Sequence, residues 1–243
     1  MTLRPSASRS ESLREEISLQ SQDCKLCGAW SHTVLCRECL ASLPYRGGRR
    51  CPVCDVVANE DIACGACLAE PPYFDTTVSA YGYEFPLDRL LQAYKFRADL
   101  TLVHVFAKAL AARVRSIPST PPDCIVPMPL GRKRLAERGF NQAALLATAL
   151  GKSLAIPVRL QDLLRVRDTA PQSGLSRDAR LKNVRGAFSG SESVEGLHIA
   201  LVDDVMTTGA TLSEAARALK KAGAARVEAW VVARVMTGTN PES

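Results

Sequence analysis

Eight of the nine cysteines in this 243-residue chain fall between Cys24 and Cys67, and they form four C-x-x-C pairs: Cys24/Cys27, Cys36/Cys39, Cys51/Cys54 and Cys64/Cys67. Each pair can sit on a tight turn that aims two thiolates at one ion, and two pairs complete a tetrahedral sulfur shell. Eight residues separate the first two pairs, nine the last two, and eleven lie between the sets. A sequential assignment therefore closes the smallest loops, and it is the arrangement expected here. An interleaved one, first with third and second with fourth, satisfies the same chemistry. Soft thiolates select zinc over hard cations, and a closed four-sulfur shell leaves no open catalytic position. Four thiolates also suit an iron–sulfur cluster, and His32 can in principle replace a thiol.

The segment 21–72 has little apolar periodicity and is too small to be stabilised by burial alone, so two metal staples are the expected source of its fold. Pro71-Pro72 closes it and is read as a hinge. Residues 1–20, rich in Ser, Arg and Glu, read as a disordered tail. They lack the apolar core of a signal peptide, and no apolar run reaches membrane-spanning length. The expectation is a cytoplasmic protein without membrane insertion. Such a compartment keeps thiols reduced for metal rather than disulfides. The net charge of +6 permits phosphate-bearing partners and does not by itself define a nucleic-acid binder.

Beyond residue 72 the pattern changes to strands alternating with helices. Residues 77–83, 123–128, 197–202 and 226–235 are strand-like; 87–94, 100–114, 141–154 and 213–222 are helix-like, the last ended by Gly223. This order predicts a mostly parallel sheet flanked by helices over 73–240. A basic loop follows the 123–128 strand, and residues 167–192 read as a long mobile loop.

The most informative stretch runs from Leu201 to Thr211, LVDDVMTTGAT. An apolar strand leads to Asp203 and Asp204, then to a turn of threonines and glycine, then to a helix. Thr211-x-x-Glu214 reads as a capping box that places the helix N-terminus behind the turn. That end offers backbone N–H groups and the positive end of the dipole to an anion. Thr207, Thr208 and Thr211 can add hydroxyl donors, and Gly209 allows close backbone approach. The paired acids would repel a phosphate unless the ligand also brings donors, which a ribose diol does. A Walker B reading fails because Gly151-Lys152-Ser153 has Leu146 where the first glycine of a Walker A loop belongs, and no G-x-G-x-x-G opens a helix.

At these residues the chain resembles the type I phosphoribosyltransferases. More closely it resembles the ComF/GntX family, in which a double zinc ribbon precedes such a domain. The resemblance rests on the paired C-x-x-C segments and on Tyr94-Lys95-Phe96, Val126-Pro127-Met128-Pro129-Leu130 and Arg138-Gly139-Phe140-Asn141-Gln142. It extends to Pro171-Gln172, Asn183-Val184-Arg185-Gly186-Ala187-Phe188 and the loop 203–211. It implies an α/β type I phosphoribosyltransferase fold behind a small N-terminal zinc-ribbon domain with two structural zinc sites. It implies that Asp203 and Asp204 hold ribose hydroxyls of phosphoribosyl pyrophosphate, that Thr207, Thr208, Gly209 and Thr211 hold its 5′-phosphate, and that magnesium accompanies the ligand. The turn after Met128 would be the diphosphate loop, often strained in this fold. Arg132, Lys133 and Arg138 would neutralise the diphosphate, with Lys95 as a further contact and Arg134 on a solvated face. Residues 167–185 would be the loop that closes over substrate. The family's association with natural competence implies single-stranded DNA and DNA-uptake proteins as partners, with Arg46, Arg49 and Arg50 as candidate phosphate contacts and Trp30 and Tyr45 as the nearby rings. Two function classes fit: a phosphoribosyltransferase of unnamed acceptor, and a non-catalytic nucleic-acid adapter or regulator that senses the sugar diphosphate.

Overall fold

Strand-forming runs that alternate with amphipathic helices bury both faces of a sheet, and that is how the described residues after 72 are arranged. The computed structural model describes residues 22–45, 47–58, 62–96, 99–168 and 183–235. After two short N-terminal strands, β1 (Gln22–Asp23) and β2 (Trp30–Ser31), come two five-residue helices, α1 (Arg37–Ala41) and α2 (Gly65–Ala69). The sheet comprises β3 (Thr76–Gly82), β4 (Cys124–Pro127), β7 (His198–Met206) and β8 (Arg226–Arg234). Its order is β3-β8-β7-β4, parallel throughout. Val158 adds a parallel bridge beyond β4. A short antiparallel pair, β5 (Leu163–Arg165) with β6 (Phe188–Gly190), brackets the segment 169–182.

Period-2 alternation sorts each strand between two cores. Ala200 and Val202 of β7 and Trp230 and Val232 of β8 face α3 (Leu87–Phe96), α4 (Leu102–Arg115) and α6 (Gln142–Leu154). Ile199, Leu201, Ala229 and Val231 face the other way, against α7 (Ala210–Lys221) and the β5/β6 pair.

The cysteine-rich segment is shared between those cores. Cys24, Leu35, Cys39 and Leu43 pack with the α3/α4/α6 face, and Cys51, Cys54 and Cys67 pack with the α7 face, beside Phe74 of the following domain. The two halves of the segment thus clasp the β3 edge from opposite sides. Tyr45 forms a bridge with Tyr81 of β3, and Gly82 N–H donates to the Pro44 carbonyl at 3.0 Å. Covering that edge protects an otherwise unpaired row of backbone groups. Pro71-Pro72, read from sequence as a hinge, lies beside hydrogen bonds that tie the chain after it to its surroundings. Thr76 Oγ1 donates to the Pro52 carbonyl at 2.7 Å, joining the chain after the diproline to the chain before it, and Tyr73 N–H donates to Ser213 Oγ at 3.1 Å.

Two further local expectations are corrected. The stretch after β4 is a helix, α5 (Arg132–Arg138), not a basic loop; none of its residues is buried, and Gly139 at φ +76° ends it. The last sheet-covering helix begins at Ala210, three residues earlier than expected, behind Gly209 at φ +82°. Gly209, not Thr211, takes the N-cap position, with no side-chain cap hydrogen bond. Glu214 turns away to accept from Gly186 N–H at 2.6 Å and to form a two-pronged pair with Arg217. The tail 1–20, Arg46 and Pro171-Gln172 lie outside the described residues, as does most of the expected closing loop.

Candidate functional site

Two groups of four cysteines converge, Cys24/Cys27/Cys36/Cys39 and Cys51/Cys54/Cys64/Cys67, with all Sγ atoms of a group within 4.8 Å of one another. The pairing in space is therefore the sequential one. Metal–sulfur arms of about 2.3 Å give a tetrahedron with an edge near 3.8 Å. Cys27 Sγ lies 3.8 Å from Cys36 Sγ, and Cys54 Sγ 3.6 Å from Cys64 Sγ. Backbone N–H groups also point at sulfur as thiolates require: Cys36 N to Cys24 Sγ at 3.3 Å, and Cys64 N to Cys51 Sγ at 3.3 Å. Burial disfavours both Cys24 and Cys51 thiolates, yet backbone N–H donors, led by Cys27 for Cys24 and Cys54 for Cys51, outweigh it and hold the thiols down, at about 6 for Cys24 and about 7 for Cys51. Burial and neighbouring sulfurs push Cys39 and Cys67 up. Four thiolates share so small a volume only when a cation compensates them. Both groups fit a metal ion. His32 is exposed, lies edge-on to Trp30 at 4.2 Å and belongs to neither group.

The second constellation sits at the C-terminal ends of the sheet strands, where open α/β sheets gather ligands. Strand β7 continues through the acids and delivers Asp203 and Asp204 to the turn 207–209, after which α7 starts. Asp204 is nearly buried, and its Oδ1 lies 2.9 Å from Lys95 Nζ. Burial works to lower the Lys95 pKa, but the Asp204 and Asp203 carboxylates more than offset it. Burial and the neighbouring Asp204 push Asp203 up to about 7, against the pull of Lys95, the Asp204 N–H and Arg165. The site thus holds Asp203 close to its titration point at neutral pH.

Why Lys95 reaches the acids follows from two of the sequence motifs. Tyr94 OH donates to the Gln142 carbonyl at 2.7 Å, and Gln142 Nε2 donates to the Lys95 carbonyl at 3.3 Å. Asn141 caps α6 through Ala143 N–H at 3.0 Å, while its Nδ2 donates to the Met128 carbonyl at 3.0 Å. Tyr94-Lys95 and Asn141-Gln142 are therefore one assembly that fixes the end of α3 and the start of the turn after β4. In that turn Met128 N–H bonds the Val202 carbonyl at 2.9 Å. No cis bond falls between Met128 and Arg132; the cis bond among the described residues is Phe85-Pro86.

The basic residues divide. Arg132 and Lys133 are exposed on α5, and Arg134 and Arg138 are half-buried. Sequence reasoning passed over Arg165, which lies 5.5 Å over the Phe188 ring. Burial first, then Arg134 and Arg167, lower its pKa, while Asp168 and Asp203 raise it. Its signal in the sequence was only the spacing Arg165-x-Arg167 at the end of a short strand. A side chain at Gly131 would collide with the Asp168 carboxylate, so α5 and the end of β5 meet closely there. Of the arginines between the cysteine groups, Arg50 is committed to the fold. Its Nε is 3.7 Å from Asp55 Oδ1, and its NH2 donates to the Gly47 carbonyl at 2.7 Å. Arg49 is exposed.

A parallel sheet that hands paired acids to a threonine–glycine turn at a helix start defines a phosphoribosyltransferase-type domain. The family model described as phosphoribosyl transferase domain matches residues 135–243. The chain is 37% identical over 218 residues to the DNA utilization protein YhgH of Salmonella typhimurium, covering 88% of this chain and 96% of that one. It is 38% identical over 178 residues to competence protein F of Haemophilus influenzae, covering 70% and 78%. To competence protein ComFC of Bacillus subtilis it is 30% identical over 207 residues, covering 82% and 84%. The chain belongs to the ComF/GntX family, with two four-cysteine groups clasped to a phosphoribosyltransferase domain. Among the described residues no helix is long and apolar enough to cross a membrane.

Proposed function

We propose that this chain binds phosphoribosyl pyrophosphate with magnesium at Asp203–Thr211 and serves DNA uptake and use as a phosphoribosyltransferase. The observation that carries this reading is the Lys95–Asp204 pair at 2.9 Å, set where β7 ends and α7 begins. Paired carboxylates suit the two ribose hydroxyls. The turn of Thr207, Thr208 and Gly209, with Thr211 one step into α7, suits the 5′-phosphate. Arg132, Lys133 and Arg138 on α5, with Arg165 beside them, supply positive charge for the diphosphate. Phosphoribosyl transfer needs no protein nucleophile; stabilising the leaving diphosphate suffices. Magnesium would supply charge on that leaving group. Zinc in both four-cysteine groups would be structural, in a cytoplasmic setting that keeps the thiols reduced.

Calorimetry of the zinc-loaded chain with phosphoribosyl pyrophosphate and magnesium tests the site. Asp203→Asn with Asp204→Asn removes two charge-assisted bonds, about 3–6 kcal/mol, or two to four decades in affinity; unchanged affinity sinks the assignment. Pyrophosphate release across a panel of nucleobases tests catalysis. The second reading is a non-catalytic adapter that holds single-stranded DNA and senses the sugar diphosphate. It draws on the exposed rings of Trp30 and Tyr45, which can stack bases, and gains if ligand binds without pyrophosphate release.

A further inference from the structure

Arg234, the last residue of β8, is only 3% exposed. A buried guanidinium is costly unless its donors are satisfied. Its Nε donates to the Cys54 carbonyl at 2.9 Å. Its NH1 donates to the carbonyls of Met206 at 3.3 Å, Val235 at 2.7 Å and Thr207. One side chain thus joins the knuckle of the second four-cysteine group to the first residue of the phosphate turn. Between those two elements lies a cavity of about 240 Å³, walled by Cys64, Phe74, Thr208, Gly209 and Arg234. The guanidinium is the polar strut across a partly open gap.

We propose that Arg234 is a positioning residue that couples the second four-cysteine centre to the phosphate turn. Metal held by Cys51, Cys54, Cys64 and Cys67 then sets the order of residues 206–211 and, through them, the affinity for a 5′-phosphate. A bound ion pins Cys54 Sγ and with it the direction of the Cys54 carbonyl. The guanidinium is a planar fork of fixed donors, so its hold on Cys54 determines where it presents NH1 to Thr207. Such coupling is reciprocal: phosphate in the turn must tighten metal by the same factor by which metal tightens phosphate. Only the phosphate half rests on the reading of 207–211 given under Proposed function.

Hydrogen–deuterium exchange on the zinc-loaded full chain, before and after chelation, reads the turn without any ligand. Chelation should speed amide exchange at 206–211 by about tenfold or more in the wild type, beyond any change at 124–127 in the sheet. Zinc-loaded Arg234→Lys keeps the charge but loses the fork, so its turn should exchange fast already and change less than about twofold on chelation. Arg234→Gln serves if the lysine variant does not fold. An unresponsive turn in the wild type, an equal rise at 124–127, or the full tenfold response in the variant overturns the coupling. Ribose 5-phosphate is the ligand probe, and its affinity should fall with chelation in the wild type only. Exchange coupling without any ribose 5-phosphate binding would reject the phosphate reading while leaving the strut in place.

Discussion

Lys95 Nζ stands 2.9 Å from Asp204 Oδ1, joining the last turn of α3 to the end of β7. Removing the cation leaves two adjacent carboxylates, one nearly buried, without their nearest compensating charge. Lys95→Met should lower stability by about 1–3 kcal/mol. Adding Asp204→Asn should restore most of that loss, because the stranded charge disappears with its partner. A double-mutant cycle by urea denaturation reads this directly; purely additive losses would mean the pair is not coupled.

Asp203 gives a pH signature. Its folded pKa, about 7, lies above the ordinary carboxylate value of 3.8. The native state therefore holds a proton that the unfolded chain has released between those limits. Stability from this group is fully present below about 4 and lost as pH rises through 7. Asp203→Asn should raise the melting temperature at pH 8 by a few degrees, since about 1 kcal/mol corresponds to roughly 2–4 °C at this size. The gain should vanish near pH 4. A gain independent of pH across thermal melts would count against the assigned burial.

Both cysteine groups should carry zinc, two ions per chain by elemental analysis. Cys51 is almost completely buried within the α7 core, whereas Cys27 is exposed. Cys27→Ser should lose one ion and leave the sheet folded. Cys51→Ser should lower the melting temperature of the whole chain more than Cys27→Ser does, with the sheet still folded below the transition, because its neighbours include sheet residues. Equal melting temperatures for the two variants by far-ultraviolet dichroism would contradict the shared core.

Asn141→Ala removes an N-cap and the anchor on the Met128 carbonyl together. The cap alone is worth about 1 kcal/mol. Affinity for inorganic pyrophosphate should fall several-fold more than stability predicts, since the turn after β4 loses its tether. Equal affinity by calorimetry would detach Asn141 from the site.

Arg50→Ala should behave as a stability mutation. Its salt-dependent effect on single-stranded DNA binding should be nil, because its head group is occupied by Asp55 and Gly47. Each genuine phosphate contact flattens the log–log salt slope by about 0.7. Filter binding across a salt series that shows such a change for Arg50→Ala would restore it to the DNA face.

Much of this was legible because it is local. Cysteine spacing favoured sequential grouping over an interleaved one, and the two groups assembled in sequential order. Apolar, β-branched runs located the four sheet strands, and the order of acid, threonine and glycine from the end of β7 onward marked the turn that leads into the helix. What the sequence could not hold is which long-range partner each polar side chain finds. Glu214 has local capping geometry available, yet tertiary packing gives it Gly186 and Arg217. Arg50 looks like surface charge until Asp55 is folded beside it. Arg234 sits 180 residues from Cys54, beyond the reach of any spacing rule. The cysteine segment reads as a separate unit because its metal sites are local. Only the buried contacts of Leu35 and Leu43 on one sheet face and of Cys51, Cys54 and Cys67 on the other make it a clasp, since apolar burial has no sequence range.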